Sequence, residues 1–353
     1  MKQNTLHDDD DTDVPAATRP RPRRLLIVGG GPIGLEMAVA AVQQSLSSEK
    51  QQQWEVTLVE RGDRLCANVV SWQHVRLFSP WRLNVSRPGR TALFPTQPGL
   101  ARGPSTSGSG VPGDADYWTG KEYLERYLHP LGQYLTNSGR CTLLLNTEVV
   151  SIGKSSKVLK GDMDHKRRKT TSFRTLVQVG VEKEEKEEQI LISDAVVDAS
   201  GSYGNGNWLG LGGLPALGER RLSDNNIIVR TIPDVANDPN RYLNKTTAVF
   251  GSGYSAITTI HKLQELAAAT ANDNSKDKDS SSSSLSPIVT VHWCTRRGNN
   301  NNKEEGTPLY ETIDNDPLPQ RQTLSNLANT LAVAANNSST VSSNNNSSSS
   351  NNN

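Results

Sequence analysis

Cysteine is scarce in this 353-residue sequence, and the spacing of the few cysteines excludes several kinds of site. Cys66, Cys141 and Cys294 lie far apart, so no CxxC pair is present to form a redox dithiol or a zinc site. We therefore expect structural thiols, buried or partly buried, and no metal centre. Such sparing use of cysteine is typical of a reducing compartment, and the predicted location is the cytoplasm.

Long apolar runs are also missing from the sequence. No stretch reaches the 18 or so apolar residues of a membrane-spanning helix, so no membrane span is predicted. The beginning of the chain lacks the apolar core of a signal peptide, and its acidic residues are unlike those of a transit peptide. A formal net charge of +1 argues against general nucleic-acid binding.

Polar segments bound the parts of the chain that are expected to fold. Residues 1–23 are predicted to be a disordered arm, and residues 335–353, almost all Ser and Asn, a disordered tail. A low-complexity insert is expected at 272–286. The remaining length suits two domains, which we place at 24–230 and 231–334.

A glycine-rich turn follows the first apolar run of the chain. Leu25–Val28 is typical of a buried parallel strand, and Gly29, Gly31 and Gly34 follow it directly. In a dinucleotide-binding fingerprint the first glycine allows the tight turn, the second admits a pyrophosphate, and the third packs helix on strand. The helix that begins here would present unpaired N–H groups to the phosphates.

An acidic residue completes this first pattern. A second strand is predicted at Trp54–Val59, and Glu60 at its end occupies the place where a ribose hydroxyl is held. Glu60 follows Gly34 by 26 residues, and the polar stretch Ser45–Gln53 explains the excess over the usual distance as a loop insertion. The alternative, that the glycines only form a turn, does not explain the acid.

A second glycine turn lies about 220 residues further along the chain. Gly251 and Gly253 follow the apolar run Ala248–Phe250, and Ala256 takes the third position, which the fingerprint tolerates. A helix is predicted from Ala256 to Ala269, since its apolar residues recur at helical spacing.

The strand predicted after this helix ends in basic residues. Ile288–Trp293 is followed by Thr295, Arg296 and Arg297 instead of an acid. Arginine at this place suits the extra phosphate of NADP, whereas an acid suits the free ribose of NAD or FAD. The other interpretation is that both arginines are solvated surface charges.

The segment between the two glycine turns contains further elements. Trp72–Asn84 is rich in aromatic residues, which either line a pocket or pack in the core, and its His74 is more typical of a structural histidine than of a base. A capping box at Thr119–Glu122 predicts a helix that Pro130 kinks and Gly139 ends.

Strands follow this helix. We expect them at Cys141–Leu145, Thr147–Ile152, Thr175–Val181, Ile190–Ile192 and Asp194–Gly201, and charged segments between several of them predict a β-meander. The fold class is therefore α/β, with two Rossmann-like dinucleotide-binding domains, each three-layered around a parallel sheet, and the second domain following the first.

On these residues the chain resembles the flavoproteins with separate FAD and NAD(P) domains, in particular the flavin-containing monooxygenase-like oxidoreductases. The resemblance covers residues 24–330, and its most specific parts are Ile27–Glu36, Val197–Gly201 and Val249–Ala256. It implies FAD in the first domain, with Val149 against the adenine through its backbone. The implied FAD residues are Gly29, Gly31, Pro32, Ile33, Gly34, Glu60, Arg61, Val149, Ser200 and Gly201.

The resemblance also implies NADP in the second domain and a small-molecule substrate. The NADP residues would be Gly251, Gly253, Ser255, Ala256, Arg296 and Arg297. The FxGxxxH signature of nitrogen- and sulfur-oxygenating members is absent, and no catalytic residue is assigned. Ser79, Trp81 and Asn84 are hypotheses for flavin-facing positions.

Two functions are weighed first, and a third interpretation is a dehydrogenase with one cofactor, in which the second glycine turn is accidental. The first is an FAD-dependent oxidoreductase, monooxygenase-like, in which NADPH reduces the flavin. The second is an incomplete flavoprotein that binds FAD or a nucleotide without turnover, since the region after Asp316 passes into Ser/Asn repeats.

Overall fold

The computed structural model describes most of the chain. The residues described are 21–47, 53–94, 116–154, 171–180, 186–273, 288–295, 309–310, 312–314, 316 and 318–344. Among them, no helix combines the length and the apolar character needed to cross a membrane.

Nine strands and nine α-helices lie in the described residues. The strands are β1 (Arg23–Val28), β2 (Trp54–Val59), β3 (Cys141–Leu144), β4 (Thr147–Lys154), β5 (Phe173–Val179), β6 (Glu187–Ser193), β7 (Ala195–Asp198), β8 (Lys245–Phe250) and β9 (Val289–Cys294). The helices are α1 (Pro32–Ser47), α2 (Ala67–Val70), α3 (Trp81–Asn84), α4 (Arg87–Leu93), α5 (Gly120–Tyr123), α6 (His129–Asn137), α7 (Glu219–Asp224), α8 (Tyr254–Asp273) and α9 (Pro319–Asn344).

A four-stranded parallel sheet forms the centre of the first unit, in the order β3-β2-β1-β7. Leu25 pairs in register with Val56 of β2 on one side and with Ala195 of β7 on the other. The middle of β1 is fully buried, which explains its uninterrupted apolar sequence, since strands covered on both faces lack a polar side. Helices α1, α4 and α6 pack with this sheet in one hydrophobic core. The predicted α/β class is confirmed.

The predicted capping box begins α5. The Thr119 side chain accepts a hydrogen bond from the Glu122 amide, and the Glu122 carboxylate accepts one from the Thr119 amide. The expected disturbance at Pro130 takes the form of a π-helical turn at Leu124–Leu128. Because Pro130 has no amide hydrogen and its ring crowds the preceding turn, the wider turn relieves the clash. Helix α6 then ends just before Gly139, at φ +64°.

Strands β4, β5 and β6 form the predicted meander as an antiparallel sheet. A bulge interrupts β4 between Val149 and Ser151. Strand β6 begins at Glu187, earlier than the predicted Ile190. Its acidic residues remain exposed, so including them in the strand buries no charge.

The second unit is smaller within the described residues. Strands β8 and β9 pair in parallel, and α8 and α9 pack against each other. Its core contains the buried Val235, Ile257, Leu263 and Ala328. Helix α8 begins at Tyr254, two residues before the predicted start. One βαβ unit therefore surrounds the second glycine turn.

Two predicted segments overlap elements of the described structure. The arm predicted at 1–23 overlaps the fold, because Arg23 starts β1 and the Arg21 guanidinium lies 3.4 Å from the Asp194 carboxylate. The tail predicted at 335–353 overlaps α9, which continues to Asn344. Extending a helix needs no new nucleus, so a weakly helical sequence can continue one that is already packed. Residues 1–20, 345–353 and most of the insert at 272–286 lie outside the described residues.

A buried carboxylate organises the segment that leads from β7 to β8. Glu219 is only 3% exposed and accepts hydrogen bonds from the Leu209 and Ala216 amides and from Arg230. Desolvation opposes its ionisation, but these hydrogen bonds outweigh it and keep the pKa of Glu219 below its usual value. The Arg230 guanidinium also lies 3.8 Å above the Trp208 ring. This segment is thus an ordered part of the molecule.

The core contribution of α1 can be measured with two matched leucines. Leu35 is fully buried, whereas Leu46 in the same helix is 57% exposed. Leu35→Ala should lower the free energy of unfolding by about 2–5 kcal/mol, because it leaves a cavity. Leu46→Ala should change it by less than about 0.5 kcal/mol. Urea unfolding followed by circular dichroism measures both, and equal losses would contradict the packing of α1 described above.

Candidate dinucleotide site

The first glycine turn lies where the order of the parallel sheet reverses. Strand β1 is flanked by β2, which follows it in the chain, and by β7, which comes much later. The carboxyl ends of these strands meet at one edge of the sheet. In open α/β sheets, the crevice at such a switch point is where ligands bind.

The three fingerprint glycines of this turn have different surroundings. Gly29 has φ +99°, and an ideal Cβ on it would lie 2.5 Å from the Ala199 carbonyl oxygen. A Cβ on Gly34 would collide with the carbonyl oxygen of Gly29. A Cβ on Gly31 would meet no atom within 4 Å. The first and third glycines therefore serve close packing, whereas the second faces open space that suits a pyrophosphate.

Helix α1 starts beside this open space. Pro32 is its first residue and has no amide hydrogen to leave unpaired. The Leu35 amide donates a backbone hydrogen bond to the Gly31 carbonyl at 3.0 Å. The amides of Ile33 and Gly34 belong to the first turn, which has no helical acceptors and favours an anion. Ile33 is 64% exposed, so its side chain does not fill the core.

Glu60 joins the glycine turn to the loop after β2. Its carboxylate accepts 2.7 Å hydrogen bonds from the amides of Gly30 and Gly62, one on each oxygen. Since an ionised carboxylate has about four acceptor positions, capacity remains for ribose hydroxyls. Glu60, the residue predicted to bind a ribose, therefore contacts the glycine turn directly. Its two amide partners were not predicted, because the sequence does not show which loop amides approach it.

Cys66 holds the same turn through the other polar group of Gly30. The Gly30 carbonyl accepts hydrogen bonds from the Cys66 amide at 2.9 Å and from its thiol at 3.4 Å. Burial, helped by the nearby Glu60 charge, raises the pKa of the Cys66 thiol to about 12. The thiol therefore stays protonated and unreactive, as expected for a structural cysteine. Burial likewise raises the pKa of Cys141 to about 12.

The end of β7 closes one side of the turn. The Ala199 amide donates to the Val28 carbonyl at 2.8 Å, which brings Ser200 and Gly201 beside the glycines. Asp198 accepts hydrogen bonds from the Ser200 hydroxyl at 2.7 Å and the Ser200 amide at 3.0 Å. These two bonds lower the pKa of Asp198. The structure thus brings the predicted Ser200 and Gly201 to the site.

A cavity of about 290 Å³ lies on the meander side of Glu60. It is lined by Arg61, Asp63, Asn146, Glu148, Gly180 and Lys186. The Lys186 ammonium lies 2.8 Å from the Glu148 carboxylate, and this contact lowers the pKa of Glu148. Val149 is the next residue of β4, at the bulge. The structure therefore places Arg61 and the neighbourhood of Val149 around one cavity beside Glu60.

The second glycine turn is also open. Gly251, at φ +118°, and Gly253 both lie where a Cβ would meet no atom within 4 Å. Their carbonyl oxygens face aromatic donors: Trp293 Nε1 lies 2.8 Å from that of Gly251, and the Tyr310 hydroxyl 3.4 Å from that of Gly253. The predicted Ser255 and Ala256 lie in the first turn of α8. Arg296 and Arg297 lie outside the described residues.

Among the hypotheses for flavin-facing residues, that for Trp81 needs correction. Trp81 is 2% exposed and packs against the rings of Trp118, at 4.1 Å, and Tyr127, at 5.2 Å. It is a core residue, because a large ring gains most by full burial. Ser79 and Asn84 are engaged with each other, since the Ser79 hydroxyl donates to the Asn84 side-chain oxygen at 2.6 Å.

A comparison with known protein families matches the beginning of the first unit. Residues 2–75 match the family model of the pyridine nucleotide-disulphide oxidoreductases, a segment that contains the first glycine turn and Glu60. The resemblance predicted from the sequence is confirmed over this segment. No curated protein sequence matches the chain.

Several solved structures are similar to the chain. An S-allyl-L-cysteine S-oxygenase from Allium sativum is 14% identical, with 82% of this chain and 54% of that chain covered and a TM-score of 0.40. A cadaverine monooxygenase from Erwinia amylovora, bound to FAD, is 15% identical, with 78% and 52% covered and a TM-score of 0.41. A flavin monooxygenase from Stenotrophomonas maltophilia is 13% identical, with 78% and 58% covered and a TM-score of 0.38. The chain spans about half the length of these proteins.

The different surroundings of Gly29 and Gly31 lead to opposite expectations for stability. Gly29→Ala should lower the free energy of unfolding by at least about 2 kcal/mol, because alanine is strained at this φ and its Cβ meets the Ala199 carbonyl. Gly31→Ala should change it by less than about 0.5 kcal/mol, because its Cβ meets nothing. Thermal unfolding of the ligand-free proteins measures both values. Equal destabilisation would show that the turn is not built as described.

Proposed function

We propose that the protein is an FAD-dependent oxidoreductase, monooxygenase-like, in which NADPH reduces the flavin and a small molecule is the substrate. One observation carries the proposal: Gly31 faces open space at the switch point of the sheet, between glycines that are packed against backbone. A turn with that pattern lets a pyrophosphate approach the backbone closely. The family match over residues 2–75 supports the same assignment.

Different residues around Gly31 would bind different parts of FAD. The first-turn amides of α1 would hold the pyrophosphate, with the helix dipole favouring its charge. Glu60 would accept from the adenosine ribose, and the cavity lined by Arg61 and Glu148, next to Val149, would take the adenine. Ser200 and Gly201 would close the site from β7. When bound, FAD supplies the acceptor for a hydride, and the chain supplies binding and orientation.

The second glycine turn would bind NADPH. Its glycines are unobstructed, and the aromatic donors Trp293 and Tyr310 bind the carbonyl oxygens of Gly251 and Gly253. The Ser255 amide lies in the first turn of α8 and would face the phosphates, with Ala256 beside it, whose amide donates to the Gly253 carbonyl at 3.0 Å. Arg296 and Arg297 remain the predicted partners of the 2′-phosphate.

A second candidate function has its own support. In the described residues the sheet of the second unit has only two strands, whereas the sheet at the first glycine turn has four. The second turn thus has less of a sheet to position a dinucleotide. A flavoprotein that binds FAD without NADPH-driven turnover fits this difference. Reduction by NADPH decides between the two functions.

FAD binding is tested by filling the space in front of Gly31. Gly31→Val should weaken FAD binding at least tenfold, or about 1.4 kcal/mol, because the side chain occupies the phosphate position. Gly153→Val in β4 is the matched control, since a Cβ on Gly153 also meets no atom within 4 Å and this residue lies outside the turn. Quenching of FAD fluorescence gives the dissociation constants. Equal FAD affinity of the wild type and Gly31→Val would contradict the binding of FAD at this turn.

Reduction by NADPH is tested without oxygen. Adding NADPH to the FAD-loaded protein should bleach the flavin absorbance, and Gly253→Val should slow this reduction while FAD stays bound, because only the second turn is filled. The measurement is anaerobic stopped-flow absorbance. An FAD-loaded wild type whose spectrum does not change with NADPH would support the binding function instead.

A further inference from the structure

The aromatic-rich segment of the first unit contacts the second unit at two points. The Nε2 atom of His74 lies 3.0 Å from the carbonyl oxygen of Ile232. The ring of Phe78 lies 5.7 Å from that of Tyr254, tilted by 59°. Ile232 belongs to the segment leading into the second unit, and Tyr254 is the first residue of α8, directly after Gly253. One contact holds the entry to the second unit, and the other holds its glycine turn.

The acceptor in the His74 contact determines which ring nitrogen of His74 carries the hydrogen. A carbonyl oxygen only accepts, so Nε2 of His74 must carry the hydrogen and donate it to Ile232. The other ring nitrogen, Nδ1, lies 4.0 Å from a carboxylate oxygen of Asp234, which is too long for a hydrogen bond. The Nε2 bond to the backbone is therefore the specific part of this contact.

Both sides of the contact are anchored. On the first unit, the amides of Gly120 and Lys121 donate to the carbonyls of Val75 and Gln73, at 2.8 Å each, on either side of His74. On the second unit, the amide of Asp238 donates to the Asp234 carbonyl at 3.1 Å. Val235, next to Asp234, is 2% exposed in the second core. A hydrogen bond between two anchored segments restricts how one unit can rotate relative to the other. A bond to a segment that is not anchored would not do so.

We propose that His74 is a positioning residue, which together with Phe78 fixes the orientation of the second glycine turn relative to the first. This inference rests on the proposed function, in which a hydride passes between cofactors held on the two units. Such a transfer requires reacting atoms about 3–3.5 Å apart, so a small rotation of one unit separates them. His74 acts through the backbone of the second unit and does not take part in the chemistry.

Two amide substitutions separate the role of each ring nitrogen. Gln places an N–H donor near the position of Nε2, whereas Asn places its donor near Nδ1. His74→Gln should therefore keep the bond to Ile232, and His74→Asn and His74→Ala should lose it. His129→Ala is the matched control, since His129 is an exposed histidine of the first unit.

The first readout is anaerobic flavin reduction at saturating NADPH. His74→Ala and His74→Asn should lower its rate about tenfold or more, with FAD affinity unchanged, because orientation and not binding is lost. His74→Gln should recover most of the rate. Recovery by Asn instead of Gln, or an unchanged rate in His74→Ala, would overturn the proposal.

The second readout does not depend on turnover. Hydrogen exchange of residues 232–238 and 254–258 in the FAD-loaded protein should rise in His74→Ala and His74→Asn but not in His74→Gln or His129→Ala. If NADPH does not reduce the wild type, the proposed function fails, and exchange still decides the positioning role. Unchanged exchange in His74→Ala would contradict it.

Discussion

Backbone contact between the first glycine turn and the end of β7 is the constraint on which the site depends. Gly29 lies so close to Ala199 that no side chain fits between them. This approach places Ser200 and Gly201 beside the turn. Glu60 accepts a hydrogen bond from the Gly30 amide and Cys66 donates one to the Gly30 carbonyl, so Gly30, next to the open position, is held through both of its backbone polar groups. The space in front of Gly31 is therefore bounded by fixed backbone.

The two glycine turns are built differently. In the first, Gly29 and Gly34 are packed against backbone and only Gly31 is open, and its acid, Glu60, follows β2. In the second, a Cβ on Gly251 or Gly253 would meet no atom within 4 Å, and aromatic side chains donate hydrogen bonds to the carbonyls of both glycines. A preformed turn suits a cofactor that stays bound, and a more open turn suits one that enters and leaves in each cycle. The difference agrees with the proposal that FAD binds at the first turn and NADPH at the second.

Local features of the sequence predicted much of the fold, and distant contacts explain what they did not predict. Apolar runs located β1 and β2, and the capping box located the start of α5, because these signals depend on residues within one turn or strand. By contrast, Cys66 is 36 residues from its partner Gly30, and His74 is 158 residues from Ile232. Such partners follow from the assembled fold, and neither propensity nor periodicity encodes them. The same holds for α9, whose extension depends on a packed helix that composition does not describe.

Because a ligand would bind at the open position at Gly31, the stability of the folded protein would depend on the ligand concentration. A concavity bounded by fixed backbone exists only in the folded chain, so a ligand that occupies it adds its binding free energy to the stability of the native state. At a ligand concentration 100-fold above the dissociation constant, this gain is about 2.7 kcal/mol. That equals the effect of a well-packed core side chain. Cells poor in the cofactor would therefore hold this protein in a form that unfolds and is degraded more readily.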